Sequence, residues 1–133
     1  MTEVIKYPVR FNDFVWAEFQ AFLETPVDPT EEPELHEIQN ALYHDQSQVK
    51  VVIKRKRTNT YEVHLTIGAV WAFAKEVAYY RDHAEECISE CMQGDADVRA
   101  DIRKTVNACV NALASANKVL VSVGQTPIHS YFQ

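Results

Sequence analysis

Residues 102–123 read IRKTVNACVNALASANKVLVSV, and Ile102, Val106, Cys109, Leu113, Ala116, Leu120 and Val123 recur there at spacings of 4, 3, 4, 3, 4 and 3. Residues three and four apart lie above one another on a 3.6-residue turn, so this is one continuous apolar stripe along a helix. Upstream, Phe73, Val77, Tyr80, Ala84, Cys87 and Cys91 keep the same rhythm. Between the two stripes stands Gly94-Asp95. Glycine can take the left-handed conformation that ends a helix, and aspartate can cap the next one. The reading is a helical hairpin over about 69–93 and 95–122.

The N-terminal half has a different period. Ile5, Tyr7, Val9 and Phe11 alternate with Lys6, Pro8 and Arg10, the mark of a half-buried strand. Pro8 has no amide hydrogen to give a neighbour, which places this strand at a sheet edge. Asn12-Asp13 offers a cap for a short helix with Val15, Phe19, Phe22 and Leu23 on one side. Residues 25–33, TPVDPTEEP, hold three prolines and read as a stiff loop. Pro33 suits the first turn of a second short helix carrying Leu35, Ile38 and Leu42.

Residues 49–67 read as a β-hairpin. A three-residue turn, Thr58-Asn59-Thr60, sets Val51 opposite Ile67, Ile53 opposite Leu65, Arg55 opposite Val63 and Lys56 opposite Glu62. A two-residue turn would mix apolar with polar on each face, so the longer turn is expected. The order is then β-α-α-β-β-α-α. This is an α+β fold with a small antiparallel three-stranded sheet, two short helices and a long C-terminal helical hairpin. Residues 1–133 are expected to form a single domain. The tail carries Ile128, Tyr131 and Phe132, too many large apolar groups for a free end, so it should dock on this chain or a neighbour.

Composition bounds the function. The apolar fraction is 47% and the charged fraction 24%, which is globular rather than disordered. No apolar run is long enough to span a membrane. Three cysteines suit a reducing compartment, and the N-terminus lacks a signal-peptide layout. The expectation is an intracellular, cytoplasmic protein, in host cytoplasm if viral. Net charge is −6, yet Lys50, Lys54, Arg55, Lys56 and Arg57 put five of the thirteen basic residues in one segment. The remainder holds eight basic against nineteen acidic residues, or −11.

Catalytic chemistry finds little support. His36-Glu37-Ile38-Gln39-Asn40 resembles a zinc-protease helix but has Asn40 where the second histidine belongs. His83, Cys87 and Cys91 lie along one face, but their span of about 12 Å exceeds the reach of one tetrahedral ion. Cys109 sits in the helical seam, where burial keeps a thiol protonated and inert. Three glycines do not make a phosphate-cradling loop. No catalytic residue, metal or cofactor is expected.

Binding is better served. Arg99, Arg103, Asn107 and Asn111 follow at steps of four beside the apolar seam. Two guanidiniums and two amides suit a phosphate followed by a base or sugar. Trp71, Tyr79 and Tyr80 on the preceding helix could add stacking surface. The alternative is nucleic-acid contact through Lys50, Lys54, Lys56 and His64 on one face of the hairpin. The small sheet followed by a long helical hairpin, with its Ala-x-Ala-Asn segment at Ala114–Asn117, is similar to small phage proteins that sequester cyclic nucleotide immune signals. The likeness covers the C-terminal half. It implies a non-enzymatic inhibitor that sequesters a protein partner or a small anionic ligand. The apolar stripe exceeds what three strands can cover, so a homodimer joined through the long helices is expected.

Overall fold

The computed structural model describes residues 4–90 and 96–132, and no cap at Gly94-Asp95 can be assigned because both lie outside them. Strand β1 (Tyr7–Asn12) runs directly into helix α1 (Asp13–Phe22), and Asn12 closes the junction. Its Oδ1 accepts from the backbone N–H groups of Phe14 and Val15, meeting two donors that a helix start otherwise leaves open. Helix α2 (Pro33–Gln39) opens with Pro33 in the first turn and continues as a π turn over Asn40–His44. Strands β2 (Val49–Lys54) and β3 (Asn59–Leu65) follow, then the long helices α3 (Ile67–Glu90) and α4 (Ala96–Ser122). The order and the α+β class agree with the sequence reading.

The sheet is antiparallel, in the order β1-β3-β2. Pro8 lies on an edge strand, as its missing N–H requires, and α4 lies along that strand, with the Arg10 N–H donating to Ser115 Oγ at 2.9 Å. Val9 and Phe11 of β1 and Val63 and Leu65 of β3 form the buried face.

The hairpin register differs from expectation. Val49 pairs Val63, Lys50 pairs Glu62 and Val51 pairs Tyr61; after a bulge at Val52, Ile53 pairs Thr60 and Lys54 pairs Asn59. The connection is residues 55–58, earlier than the turn the sequence suggested. Two contacts from outside the hairpin account for this. Asp13 accepts from the Asn59 N–H and from the Tyr61 hydroxyl, tying the start of β3 to α1. At its far end, Glu37 accepts from both the N–H and the hydroxyl of Thr66, so Ile67 begins a helix rather than extending a strand. Gly68 therefore sits inside α3, where an added Cβ would come within 3.2 Å of Glu34 Cγ.

Most of the helical seam is sheltered within the chain, while Ile102, Val106 and Cys87 are half-buried and Val123 is exposed. Phe73, Val77, Tyr80, Ala84, Cys109, Leu113, Ala116 and Leu120 are all buried, and all but Ala84 share one core with the sheet, α1 and α2. Counting only sheet area overstated the surplus, because α1 and α2 roof the hairpin as well. What stays open on α4 is Val98, Val110 and Val121.

At the end of α4, Gly124 takes φ +81° and the Gln125 N–H reaches back to the Leu120 carbonyl. The tail then docks on its own chain. Asn117 exchanges two 2.8 Å hydrogen bonds with the Ile128 backbone, Arg81 Nη2 donates to His129 O, and Lys75 Nζ donates to Tyr131 O. Among the described residues no helix is long and apolar enough to cross a membrane.

Candidate functional site

The first turns of α1, the hairpin connection and the middle of α4 converge on one cavity of about 380 Å³. Asn12 and Phe14 line it from the β1–α1 junction, Arg57 and Thr58 from the connection, and Lys104, Asn107, Ala108 and Asn111 from α4. A smaller cavity of about 110 Å³ continues it towards Arg10 and Thr60, sharing Asn12, Ala108 and Asn111. No carboxylate lines either one.

The donors are disposed for an anion. Asn12 Oδ1 is committed to the helix start, which leaves its amide nitrogen for another acceptor. Asn107 and Asn111 project from adjacent turns of α4, and both are exposed. Lys104 pairs Asp101 at 3.6 Å, a long contact between exposed groups that competes weakly with a ligand. Arg57 is exposed at the mouth. Asp13, the nearest acid in sequence, is engaged by Asn59 and Tyr61. Two cations, three amides and a phenyl ring thus share one wall system. That set can neutralise phosphate, hydrogen-bond a polar ring and pack against its face.

Of the residues named from sequence, Asn107 and Asn111 are brought into this cavity and the others are not. Arg103 is exposed and Arg99 half-buried on α4, but neither lines it. The steps of four drift about 40° each around the helix, so the start of the stripe turns away and Lys104 takes its place. Tyr80 is 1% exposed and belongs to the core, so it cannot stack on a ligand. Trp71 is exposed but lines a different cavity, of about 330 Å³, with Glu31, Glu32, Glu34, Lys75, Glu76 and Tyr131. The sequence reading missed Asn12, Phe14, Thr58 and Lys104, and treated Arg57 only as part of a basic run. Their one legible signal was the Asn12 cap, which fixes where α1 starts.

The basic hairpin is also rearranged. Lys50 lies across from Glu62, which further accepts from Arg10 Nε at 3.1 Å and sits 3.2 Å from His64 Nε2. Lys54 lies across from Asn59, whose position in β3 shares the face of Tyr61. The bulge therefore separates Lys50 from Lys54, and the single row of Lys50, Lys54, Lys56 and His64 does not form. Lys56 lies in the connection.

Burial pushes the Cys109 thiol up to about 12, with Glu18 adding and Arg81 opposing, so the thiol stays protonated. His83 Nε2 lies 3.9 Å from Cys87 Sγ, and Cys91 is outside the described residues. Among those residues no group of three or more metal-binding side chains gathers.

In the Trp71 cavity, burial raises the Glu76 carboxyl above its usual range; the Tyr80 hydroxyl opposes the shift and Glu32 adds to it. A carboxyl raised on folding binds its proton more tightly in the native state, so its ionisation costs stability as pH rises past the unfolded value. Glu76→Gln should therefore raise the melting temperature at pH 7, with a gain that shrinks as pH falls towards about 4.5. Melts at both pH values check this, and an equal gain at both would contradict it.

No family model matches this chain, and no curated protein or solved structure matches it either.

Proposed function

We propose that the protein is a non-enzymatic binding protein that sequesters a small anionic ligand of the nucleotide class in the cavity between α4, the hairpin connection and the start of α1. The observation that carries this reading is the cavity wall itself: Arg57 and Lys104 with Asn12, Asn107, Asn111 and Phe14, and no carboxylate among them. Its volume of about 380 Å³ falls within the range of small-molecule sites. Sequestration suits that chemistry, because the wall offers donors and a packing surface, and no carboxylate, histidine or cysteine lines it to activate the Thr58 hydroxyl.

The reading includes a homodimer. Val110 and Val121 are 46% and 57% exposed on α4, and Val110 lies one helical turn on from Asn107. A second copy laid along these valines would roof the cavity and shut water out of it.

The test is titration calorimetry with cyclic AMP, ATP and a cyclic dinucleotide, alongside native mass spectrometry of the chain as purified. At least one nucleotide should bind, more weakly as salt rises. Arg57→Ala and Lys104→Ala should each weaken it about tenfold, the equivalent of about 1.4 kcal/mol. Arg99→Ala, outside the cavity, should not. Equal binding by all three variants would discard the site, and a strictly monomeric mass would discard the dimer.

A further inference from the structure

Strand β2 is the second edge of the sheet, paired on one side by β3 and on the other by nothing among the described residues. Such an edge presents a row of unpaired N–H and C=O groups. At its centre Val51, Val52 and Ile53 are 53%, 37% and 37% exposed, and the bulge turns apolar side chains to both faces of the sheet. The opposite edge is guarded by Pro8 and by α4, with Ser115 already taking the Arg10 N–H. Lysines on an edge commonly protect it from other strands. Here, however, they flank three branched apolar residues instead of replacing them. β-Branched residues are also those that pack best against a further strand.

We infer that the β2 edge is a docking site for an extended acidic segment of another protein, which adds to the sheet as a fourth strand. Charge selects the occupant. Lys50, Lys54, Arg55, Lys56 and Arg57 are five cations within eight residues, all exposed. Lys50 and Lys54 stand on opposite faces on either side of the apolar centre, so a matching strand carries a carboxylate on each face and branched apolar residues between. A second copy of this chain fits poorly. Antiparallel self-pairing of β2 about Val52 would set Lys50 of each copy opposite Lys54 of the other, and like charges directly opposed are destabilising. The chain's own acidic stretch, residues 24–34, holds Pro26, Pro29 and Pro33 and cannot supply a continuous row of donors. A nucleic-acid strand would satisfy the cations but not the open backbone groups or the valines. Of these cations only Arg57 also lines the nucleotide cavity; Lys50 and Lys54, on which the test turns, do not.

The test uses the full chain and a fluorescein-labelled peptide Val-Glu-Val-Val-Glu-Val, whose two glutamates, three residues apart, fall on opposite faces of a strand, read by fluorescence anisotropy. The peptide should bind, and its lysine counterpart should not. N-methylation of alternate peptide amides keeps the charge but removes strand donors, and should weaken binding at least about tenfold. Lys50→Glu combined with Lys54→Glu should reverse the preference, so that the lysine peptide binds; circular dichroism confirms that the variant is folded. The proposal fails if the glutamate peptide does not bind, or if the N-methylated peptide binds equally. It also fails if an oligothymidylate of equal charge binds more tightly than the glutamate peptide.

Discussion

Phe73→Ala should cost about 3–5 kcal/mol of stability, the range for deleting a fully buried aromatic ring. Phe73 has no exposure and sits where three elements meet. Its ring stacks on Phe19 of α1 at 5.1 Å and tilts against Phe11 of β1 at 6.0 Å, while its backbone belongs to α3. Phe19 in turn meets Tyr80 edge-on at 5.1 Å. Emptying this position therefore loosens the contact by which the hairpin holds both β1 and α1. The neighbours cannot readily collapse into the gap, because each is fixed by its own secondary structure. Small domains are stable by only about 5–15 kcal/mol, so the variant should unfold at markedly lower urea. Phe132→Ala is the matching control: that ring is 88% exposed and its loss should not move the midpoint. A Phe73→Ala cost below about 1 kcal/mol, well under the range for such deletions, would mean that the aromatic junction is not formed as described.

The residues of that junction show which parts of the fold were legible. Phe11, Phe19 and Phe73 each stood out from local periodicity, and Asn12, Pro8 and Pro33 announced a cap, an edge and a helix start. All are short-range signals that a few neighbouring residues decide. The hairpin register was not of this kind. Pairing Val51 with Ile67 requires every apolar residue of β2 to find cover. Among the described residues no helix lies over the outer end of β2, so Val51, Val52 and Ile53 stay exposed. The true register is held from a distance, by Asp13 at one end of β3 and Glu37 beyond the other.

The candidate site divides along the same line. Asn107 and Asn111 could be read from α4 alone. Arg57 and Thr58 could not be placed without the register, since a turn at Thr58-Asn59-Thr60 puts Arg57 in β2 and Thr58 at the hairpin tip, away from α4. Tyr80 was misread for a related reason. It belongs to the α3 stripe as much as Phe73 does, and a ring in that stripe faces the core and not a ligand.

Gln39→Leu should cost about 2–3 kcal/mol, although it replaces a polar residue in the core with an apolar one of similar size. Gln39 is buried in the core at 3% exposure. Its Nε2 donates to the carbonyls of Leu23 and Thr25 at 2.6 and 2.8 Å, and its Oε1 accepts from the Val27 N–H at 2.9 Å. One amide thus holds the entrance of the proline-rich loop, where Pro26 and Pro29 have no donors of their own. Leucine would leave these backbone groups without partners, and a buried unmet group costs about 1–3 kcal/mol. Water reaching the exposed Thr25 keeps the sum below the full amount. Gln39→Glu separates the roles of the two amide atoms. A carboxylate can still accept from Val27, but it repels the two carbonyls, so its folded pKa should rise. The variant should then be weakest at pH 7 and regain stability as pH falls and the carboxyl gains a proton to donate. Urea unfolding of both variants at pH 5 and pH 7 reads this directly. Because the loop carries Glu31 and Glu32 into the wall of the Trp71 cavity, both variants should also open residues 24–32 to limited proteolysis before the rest of the chain unfolds. If the loop resists cleavage as well as it does in the parent chain, Gln39 is not what holds it.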